Sequence, residues 1–169
     1  MEDIILGLGS NLGDRRHNLK TALSLLESSG GVAITKVSSV YLTSPVDCAG
    51  GDFYNACVRG VTSLSPEDLL AFGKKIEKML GRQGSGHDPR PIDIDILFYG
   101  SLVVAKEGLV IPHPSWRHRL FVIMPLLDVC DNFIEPVSGE LLCVIASMAL
   151  KIVKQQQGKT RCERLGRYL

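Results

Sequence analysis

The sequence predicts an α+β fold in which helices pack on one face of a mainly antiparallel sheet. Strand-like and helix-like apolar patterns alternate along the chain, and the first six elements occur in the order βαββαβ. Two of these strands follow each other directly, which is typical of antiparallel neighbours because parallel strands need a long crossover. This order is the split βαβ arrangement of ferredoxin-like folds, so the sequence predicts that architecture for the core.

A strand and a helix come first. Residues 3–8 read as a buried strand, and a turn over residues 9–14 leads into a helix that Gly30 ends. Three leucines at helical spacing give this helix one apolar face: Leu19, Leu23 and Leu26. The glycine spacing over residues 7–13 differs from that of a dinucleotide-binding motif, so this segment is either a plain tight turn or a site for a polar ligand.

Two strands and a second helix follow. Residues 32–41 are rich in β-branched side chains, and residues 53–61 supply the next strand. Ser65 provides an N-cap and Pro66 a favourable first position for a helix that Gly81 ends. The chain then enters the last strand of the core.

Two aspartates interrupt this last strand, which spans residues 91–99. Asp93 and Asp95 point to one face of the strand, about 7 Å apart. Four apolar neighbours are expected on the opposite face: Ile92, Ile94, Ile96 and Phe98. Two carboxylates at this spacing can share divalent cations, and the alternative is an amphipathic strand with one wet face.

Further elements extend the core. Residues 103–111 predict a short strand pair, residues 116–129 a short helix and residues 141–153 an amphipathic helix. We expect one domain over residues 1–154 and a basic tail over residues 155–169. The tail is either a solvated terminus or an arm for nucleic acid.

Composition narrows the class of protein. The chain has 169 residues, of which 45% are hydrophobic, and a net charge of +1. Its five cysteines form no Cys-x-x-Cys pair and show no metal-ligand spacing with histidine, which argues against a zinc site and a disulfide framework. We expect a cytoplasmic protein, because no signal segment or membrane-spanning stretch is evident, and we take a monomer as the expected state. Since the basic excess lies in the tail, the acidic body argues against nucleic-acid binding.

A glycine-rich loop precedes the two aspartates. It runs from Gly81 to Arg90 and carries Arg82 near its start. Arginine binds phosphate oxygens in a bidentate manner, and a glycine-rich loop can close over a nucleotide. The loop therefore indicates a phosphate site, with an exposed loop of solvated arginines as the alternative.

Two other segments offer side chains for ligand binding. Residues 111–121 bring His113 and Arg119 together with other basic and aromatic residues, which favours a role facing an anion. Phe53 and Asn55 share one face of their strand, so the ring could stack on a flat heterocycle while the amide forms hydrogen bonds with its edge. A core phenylalanine beside a turn-side asparagine is the alternative reading.

Seven motifs agree in order and spacing with one known family: Leu8-Gly-Ser-Asn11, Tyr41-x-Thr-Ser-Pro-Val46, Phe53-x-Asn55, Gly81-Arg82, Pro89-Arg90-x-x-Asp-Ile-Asp95, Ile111-Pro-His-Pro114 and Arg119-x-Phe121-Val-x-x-Pro-Leu126. Through them most of the body resembles the 6-hydroxymethyl-7,8-dihydropterin pyrophosphokinases. Members of that family transfer a pyrophosphoryl group from ATP to a pterin alcohol in folate biosynthesis. Their fold is ferredoxin-like, as the element order also predicts.

The resemblance implies a role for each candidate residue. Asp93 and Asp95 would hold two Mg²⁺ ions that bridge the ATP phosphates, and with Arg82 and Arg90 they would form the catalytic set. The nucleotide would lie near six residues: Glu77, Arg82, Arg90, Ile96, His113 and Arg119. The pterin would stack between the two phenylalanines of a second set: Thr43, Pro45, Val46, Phe53, Asn55 and Phe121.

One segment departs from the family pattern and keeps alternatives open. Members carry further arginines and a Trp-Gly pair before Pro89, where this chain has a shorter segment, 83–88. A catalytically weakened relative that binds ATP and pterin is therefore one alternative. A nucleotidyltransferase is another, although Ser10 and Asp93 lie far apart in the chain. An RNA-binding module shares the element order but has an aromatic strand that this chain lacks.

Overall fold

A single antiparallel sheet forms the centre of the computed structural model, which describes residues 1–28, 30–46, 49–84, 88–155 and 161–166. Six strands of the described residues belong to it: β1 (Glu2–Ser10), β2 (Val32–Val37), β3 (Val40–Thr43), β4 (Phe53–Thr62), β5 (Asp93–Tyr99) and β8 (Cys162–Gly166). The strands β6 (Val104–Lys106) and β7 (Leu109–Ile111) form a separate hairpin. The helices are α1 (Arg15–Ser28), α2 (Pro66–Met79), α3 (Leu120–Val129) and α4 (Leu142–Gln155), with a 3-10 turn at Trp116–His118.

The order of strands across the sheet confirms the predicted α+β fold. It runs β5-β1-β4-β3-β8, and β2 pairs with the other half of β4 beside β3. Every paired neighbour is antiparallel. The strand β1 extends to Ser10, so Gly9 belongs to the sheet with Gly7 and not to the turn predicted over residues 9–14.

Helices cover both faces of the sheet, in two pairs. The predicted arrangement on one face holds for α1 and α2, whose buried leucines and isoleucines pack against the sheet together with Leu6 and Ile94. The helices α3 and α4 cover the opposite face, where they pack with Trp116 and Phe98. The later elements therefore add a third layer to the core, which buries a second apolar cluster.

The second core helix begins and ends at the predicted signals. The hydroxyl of Ser65 accepts a hydrogen bond from the backbone N–H of Asp68 at 3.1 Å, and Pro66 occupies the first helical position. Gly81 lies just beyond the helix with φ of 87°, a left-handed conformation that glycine adopts without strain. These contacts set the direction in which the chain approaches β5.

A β-bulge in the last core strand moves one predicted side chain to the other face. The register with β1 passes from Leu6 opposite Ile96 to Ile5 opposite Phe98, so Leu97 is an extra residue on β5. Such an insertion reverses the side-chain alternation that follows it. The prediction that Phe98 shares the face of Ile94 was therefore wrong, and its ring contacts Trp116 in the second cluster at 5.1 Å between ring centroids.

The final strand lies in the segment predicted as a tail. Residues 162–166 form β8, which pairs with β3 from Val40 to Thr43. The division of the chain at residue 154 stays a prediction, and residues 156–160 and 167–169 lie outside the described residues. No described helix combines the length and the apolar character that crossing a membrane would require.

The second apolar cluster should contribute strongly to stability. Ile123 on α3 is fully buried there, whereas Ile152 on α4 keeps half of its surface exposed. We expect Ile123→Ala to lower the free energy of unfolding by about 2–5 kcal/mol, because it removes buried surface and leaves a cavity. Urea denaturation measures this, and Ile152→Ala is the matched control with an expected loss below about 1 kcal/mol. Equal losses in the two variants would contradict the two-sided core.

Candidate active site

The candidate site is a cleft of about 160 Å³ on the face of the sheet that carries α3. Strands β1, β3, β4 and β5 and the start of α3 supply its walls. Nine of the residues predicted for the site line it: Thr43, Val46, Phe53, Asn55, Arg90, Asp93, Asp95, Arg119 and Phe121. The described lining residues do not include Pro45, Glu77, Arg82, Ile96 or His113. The fold thus brings most of the predicted set into one cavity.

Two glycines form the floor of the cleft between the aspartates and Asn55. In the strand register, Asp93 lies opposite Gly9, which lies opposite Asn55 on the other side. Gly7 lies in the same way between Asp95 and Cys57. A Cβ on Gly9 would come within 3.0 Å of the Asn55 side-chain oxygen.

The absence of side chains at Gly7 and Gly9 leaves room for a ligand above β1. Sequence reasoning missed this floor because it assigned part of the segment to a turn. The available signal was the two-residue spacing of the glycines, which places both on one strand face.

Asp93 is held by two arginines. The Arg82 guanidinium donates to one carboxylate oxygen at 2.5 Å, and that of Arg90 donates to the other at 3.0 Å. All three side chains are largely buried, so these charge-assisted bonds are stronger than exposed ion pairs. Arg90 is itself anchored, since its backbone N–H donates to the Asn11 side chain at 2.7 Å. The Leu8–Asn11 motif therefore supports the arginine.

Asp95 is electrostatically unfavourable in the ionised state. Burial and the nearby Asp93 carboxylate raise the pKa of Asp95 to about 6, while Lys74 and Arg119 oppose the shift. A carboxylate in such a place gains from a cation that enters the cleft. The raised pKa of Asp95 indicates that burial and the Asp93 charge outweigh the positive charges near this carboxylate.

Glu77 positions the strand that carries both aspartates. Its carboxylate is almost fully buried and accepts a hydrogen bond from the backbone N–H of Ile94 at 2.9 Å. Arg82 and Lys74 pair with the same carboxylate, at 2.8 and 3.1 Å. Ile96 lies in the apolar cluster beneath α1 and α2. In this structure Glu77 and Ile96 thus support the strand from behind the cleft.

Aromatic rings and an amide form the wall opposite the carboxylates. The Arg90 guanidinium lies 5.9 Å from the centre of the Phe53 ring, and that of Arg119 lies 5.5 Å from the Phe121 ring. Asn55 donates its amide N–H to the Thr43 hydroxyl at 2.7 Å, which fixes the orientation of the amide. A flat, polar-edged ring suits this combination of apolar faces and fixed hydrogen-bonding groups.

The basic segment after β7 divides between the site and the core. Burial and Arg119 lower the pKa of His113, and its Nδ1 accepts a hydrogen bond from the Ser115 N–H, so Nε2 carries the proton and can donate. Trp116 is buried in the second apolar cluster. Arg117 pairs with Glu135 and Glu140. Of the residues in segment 111–121 that were predicted to face an anion, His113 and Arg119 therefore stay the candidates.

The donor set fits magnesium better than a closed structural metal site. Within the described residues, no group of three or more histidine, cysteine, aspartate or glutamate side chains could hold an ion. Mg²⁺ commonly uses one or two carboxylates and takes its other ligands from water and phosphate oxygens. Asp93 and Asp95, both facing the cleft, supply that partial set. Residues 85–87 of the glycine-rich loop lie outside the described residues.

Comparison with known proteins finds one family. The model of the family 7,8-dihydro-6-hydroxymethylpterin-pyrophosphokinase matches residues 5–131. A 2-amino-4-hydroxy-6-hydroxymethyldihydropteridine pyrophosphokinase of Bacillus subtilis is 42% identical over 129 residues, which cover 75% of this chain and 77% of that protein. A mitochondrial folate synthesis bifunctional protein of Arabidopsis thaliana is 42% identical over 135 residues, which cover 79% of this chain and 24% of the relative.

Solved structures confirm the fold. The crystal structure of Plasmodium falciparum HPPK-DHPS with SDX-DHP superposes with a TM-score of 0.77 at 17% identity, over 92% of this chain and 46% of that one. At this identity the likeness concerns the fold alone. The chain spans about a quarter of the length of the plant relatives that it matches and about half of the Plasmodium chain.

Replacing Asp95 should stabilise the metal-free protein. Because the folded pKa of Asp95 is raised to about 6, its contribution to stability falls as pH rises from about 4 to 6. We expect Asp95→Asn to raise the free energy of unfolding at pH 7.5 by about 1–3 kcal/mol. The gain should fall to about a third of this at pH 4.5. Urea denaturation in EDTA at both pH values measures the difference, with the exposed Asp3→Asn as control, and a loss of stability at pH 7.5 would refute this account.

Proposed function

The chain belongs to the 7,8-dihydro-6-hydroxymethylpterin-pyrophosphokinase family, and from this premise we propose that it transfers the pyrophosphoryl group of ATP to 6-hydroxymethyl-7,8-dihydropterin and releases AMP. The observation that carries the proposal is the single cleft that joins two carboxylates, two arginines, two phenylalanines and an amide. One end of this cleft suits phosphates and divalent cations, and the other suits a flat heterocycle.

The pterin is proposed to lie between Phe53 and Phe121. Both rings line the cleft, and Asn55 lies opposite Gly9 of the glycine floor. The amide of Asn55 and backbone groups near the end of β3 would pair with the polar edge of the ring. The residues proposed for this contact at the end of β3 are Thr43, Pro45 and Val46. Stacking on apolar faces with a few fixed polar groups is how such pockets select flat ligands.

The triphosphate is proposed to lie along β5 and the start of α3. Arg90 and Arg119 line the cleft there. Arg82 and His113 stand close behind, with Arg82 bonded to Asp93 and the proton of His113 on Nε2. Binding of phosphates by Arg82 would require it to share or leave its bond to Asp93. Glu77 and Ile96, whose side chains lie behind the cleft, are proposed to act near the nucleotide by holding β5 in place.

Asp93 and Asp95 are proposed to hold two Mg²⁺ ions. When bound, these ions would offset the negative charge that gathers on the phosphate oxygens during transfer. The unfavourable position of the Asp95 carboxylate supports this role, because an adjacent cation would relieve its repulsion from Asp93. The number of ions rests on the family resemblance.

The reaction is proposed to proceed by direct displacement. The hydroxymethyl oxygen of the pterin forms a bond to the β-phosphorus of ATP, the bond from that phosphorus to the α,β-bridging oxygen breaks, and AMP leaves with the bridging oxygen. The hydroxyl proton passes to solvent, because no side chain among the described lining residues stands out as an obligatory base. The residues of the cleft act by holding the two substrates in line and by balancing charge.

The remaining expectations about the whole protein also stay predictions. These are a monomer, a cytoplasmic location and no nucleic-acid partner. AMP as the product would distinguish the proposed reaction from nucleotidyl transfer, which releases pyrophosphate instead. If the protein does not bind RNA even at low salt, the RNA-binding alternative is excluded.

Product analysis tests the reaction itself. Purified protein is incubated with Mg-ATP and 6-hydroxymethyl-7,8-dihydropterin, and AMP is quantified. We expect AMP only when the pterin is present, and a loss of at least about 100-fold in Asp95→Ala, because the charge that would hold the cation is removed. Asp131→Ala, a change at an exposed aspartate outside the cleft, is the control.

Two other results would change the conclusion. A folded protein that binds both substrates but forms no AMP would be a catalytically weakened relative. A folded protein that binds neither substrate would refute the proposed function.

Asn55→Ala should weaken pterin binding selectively. The substitution removes the amide that Thr43 orients, but it leaves the carboxylates and arginines in place. We expect the Kd for the pterin to rise by about 10–100-fold, since a hydrogen-bonded edge contact in a closed pocket contributes about 1.5–3 kcal/mol. The Kd for a non-hydrolysable ATP analogue should change less than twofold. Calorimetric titrations of both ligands measure the split, and equal weakening of both would contradict the placement of the pterin.

A further inference from the structure

Strand β8 lies beyond the part of the chain that the family model matches, yet it contacts the cleft wall. The match ends at residue 131, and β8 begins at Cys162. Cys162 lies opposite Thr43, which lines the cleft. The C-terminal strand thus forms the outer neighbour of the strand that supplies the heterocycle side of the site.

Arg161, the residue that precedes β8, contacts both sides of the connection between β3 and β4. The backbone N–H of Ser44 donates to the Arg161 carbonyl at 3.2 Å, and the Arg161 N–H donates to the Ser44 hydroxyl at 3.3 Å. The Arg161 guanidinium lies 3.5 Å from the carboxylate of Asp52, the residue before Phe53. One residue therefore contacts Ser44, which lines the cleft, and the neighbour of Phe53, which also lines it.

A second arginine holds the other end of β8. The Arg164 guanidinium donates to the Ser39 hydroxyl at 2.8 Å and lies 3.4 Å from the Asp128 carboxylate near the end of α3. Asp128 also accepts the backbone N–H of Ser39 at 2.9 Å. These contacts fix β8 against both β3 and α3, so the position of Arg161 is determined at a distance from the cleft.

We propose that Arg161 is a positioning residue that sets the separation of Ser44 and Phe53 and thereby the affinity of the cleft for its heterocyclic substrate. The inference rests on the proposed function for the identity of that substrate. It goes beyond that function because Arg161 contacts neither the carboxylates nor the arginines of the cleft in any described interaction. Its guanidinium also pairs with Glu163 of β8 at 2.6 Å, which holds the side chain against its own strand. Its backbone contacts Ser44 and its side chain contacts Asp52, and we expect the effect to be exerted through these two residues.

The position of β8 predicts that the two substrates respond differently. The strand lies at one edge of the described sheet, and β5 with its aspartates lies at the opposite edge. A change at Arg161 should therefore alter heterocycle binding and leave the phosphate side unchanged. Because half of the Arg161 side chain is exposed, its ion pair with Asp52 is screened, and the expected effect is moderate.

The test compares four variants in binding assays: Arg161→Ala, Asp52→Ala, the double variant and Arg59→Ala. Arg59 is the matched control, because it makes a similar ion pair with Asp3 outside the cleft. The probes are 6-hydroxymethyl-7,8-dihydropterin and a non-hydrolysable ATP analogue. We expect Arg161→Ala and Asp52→Ala each to raise the pterin Kd about 3–10-fold, with no further rise in the double variant. The Kd for the ATP analogue should stay within twofold.

Hydrogen exchange of the Ser44 amide provides a readout that needs no substrate. The substitution keeps the backbone carbonyl that accepts this N–H, but it removes the side-chain contact that ties the segment to Asp52. Exchange at the Ser44 amide should therefore be faster in Arg161→Ala than in the wild type and unchanged in Arg59→Ala. A pterin Kd within twofold of the wild type in Arg161→Ala, or equal losses for both ligands, would overturn the inference.

Failure of the proposed function has a different signature. If the wild type binds no pterin, that function fails, and the Ser44 exchange rate alone decides whether Arg161 positions this wall. An unchanged rate would then overturn the positioning role as well.

Discussion

The hydrogen bond from the Ile94 backbone to the buried Glu77 carboxylate determines where both aspartates stand. Strand β5 lies at an edge of the described sheet, so this N–H has no neighbouring strand to accept it. Glu77 reaches across from α2 and accepts it instead, while Arg82 and Lys74 balance the buried charge. The geometry of the cleft therefore depends on the docking of a helix that contributes no lining residue of its own.

The two aspartates differ in the way that their charge is balanced. Asp93 has one arginine for each oxygen, whereas Asp95 lies beside Asp93 without an ion pair among the described residues. The folded chain therefore keeps an unfavourable carboxylate at the centre of its cleft. Sites of this kind exchange stability for function, since the same repulsion that destabilises the empty protein favours a bound cation.

Local signals in the sequence predicted the elements that depend on local contacts. The N-cap at Ser65, the leucine spacing of α1 and the alternation around Asp93 all describe contacts between residues close in the chain, and the structure confirms them. The family motifs combined separately predicted residues such as Phe53, Arg90 and Arg119 into one site, and these three share one cleft.

Other features depend on packing that a sequence does not display. The bulge at Leu97 arises from the fit of β5 against β1, and the partner of β8 is a strand more than a hundred residues earlier. The helices α3 and α4 pack on an apolar part of the sheet. The side-chain alternation of β5 had predicted only the polar site on this face. Arg117 belongs to the basic segment 111–121 for which the sequence favoured a role facing an anion, but it pairs with Glu135 and Glu140, which lie in a later segment of the chain.

The glycine floor limits how this cleft can change under selection. The backbone of β1 is paired on both sides, so any ring that settles above Gly9 meets a surface without free polar groups. A methyl group at that position would meet the Asn55 oxygen. It would obstruct the proposed substrate as much as it would obstruct any other ring that binds there. If the pterin binds as proposed, an inhibitor that lies on this floor would meet the same constraint, so resistance by substitution of Gly9 would also cost substrate binding. Escape mutations would have to come from the rim, where the walls are built by side chains.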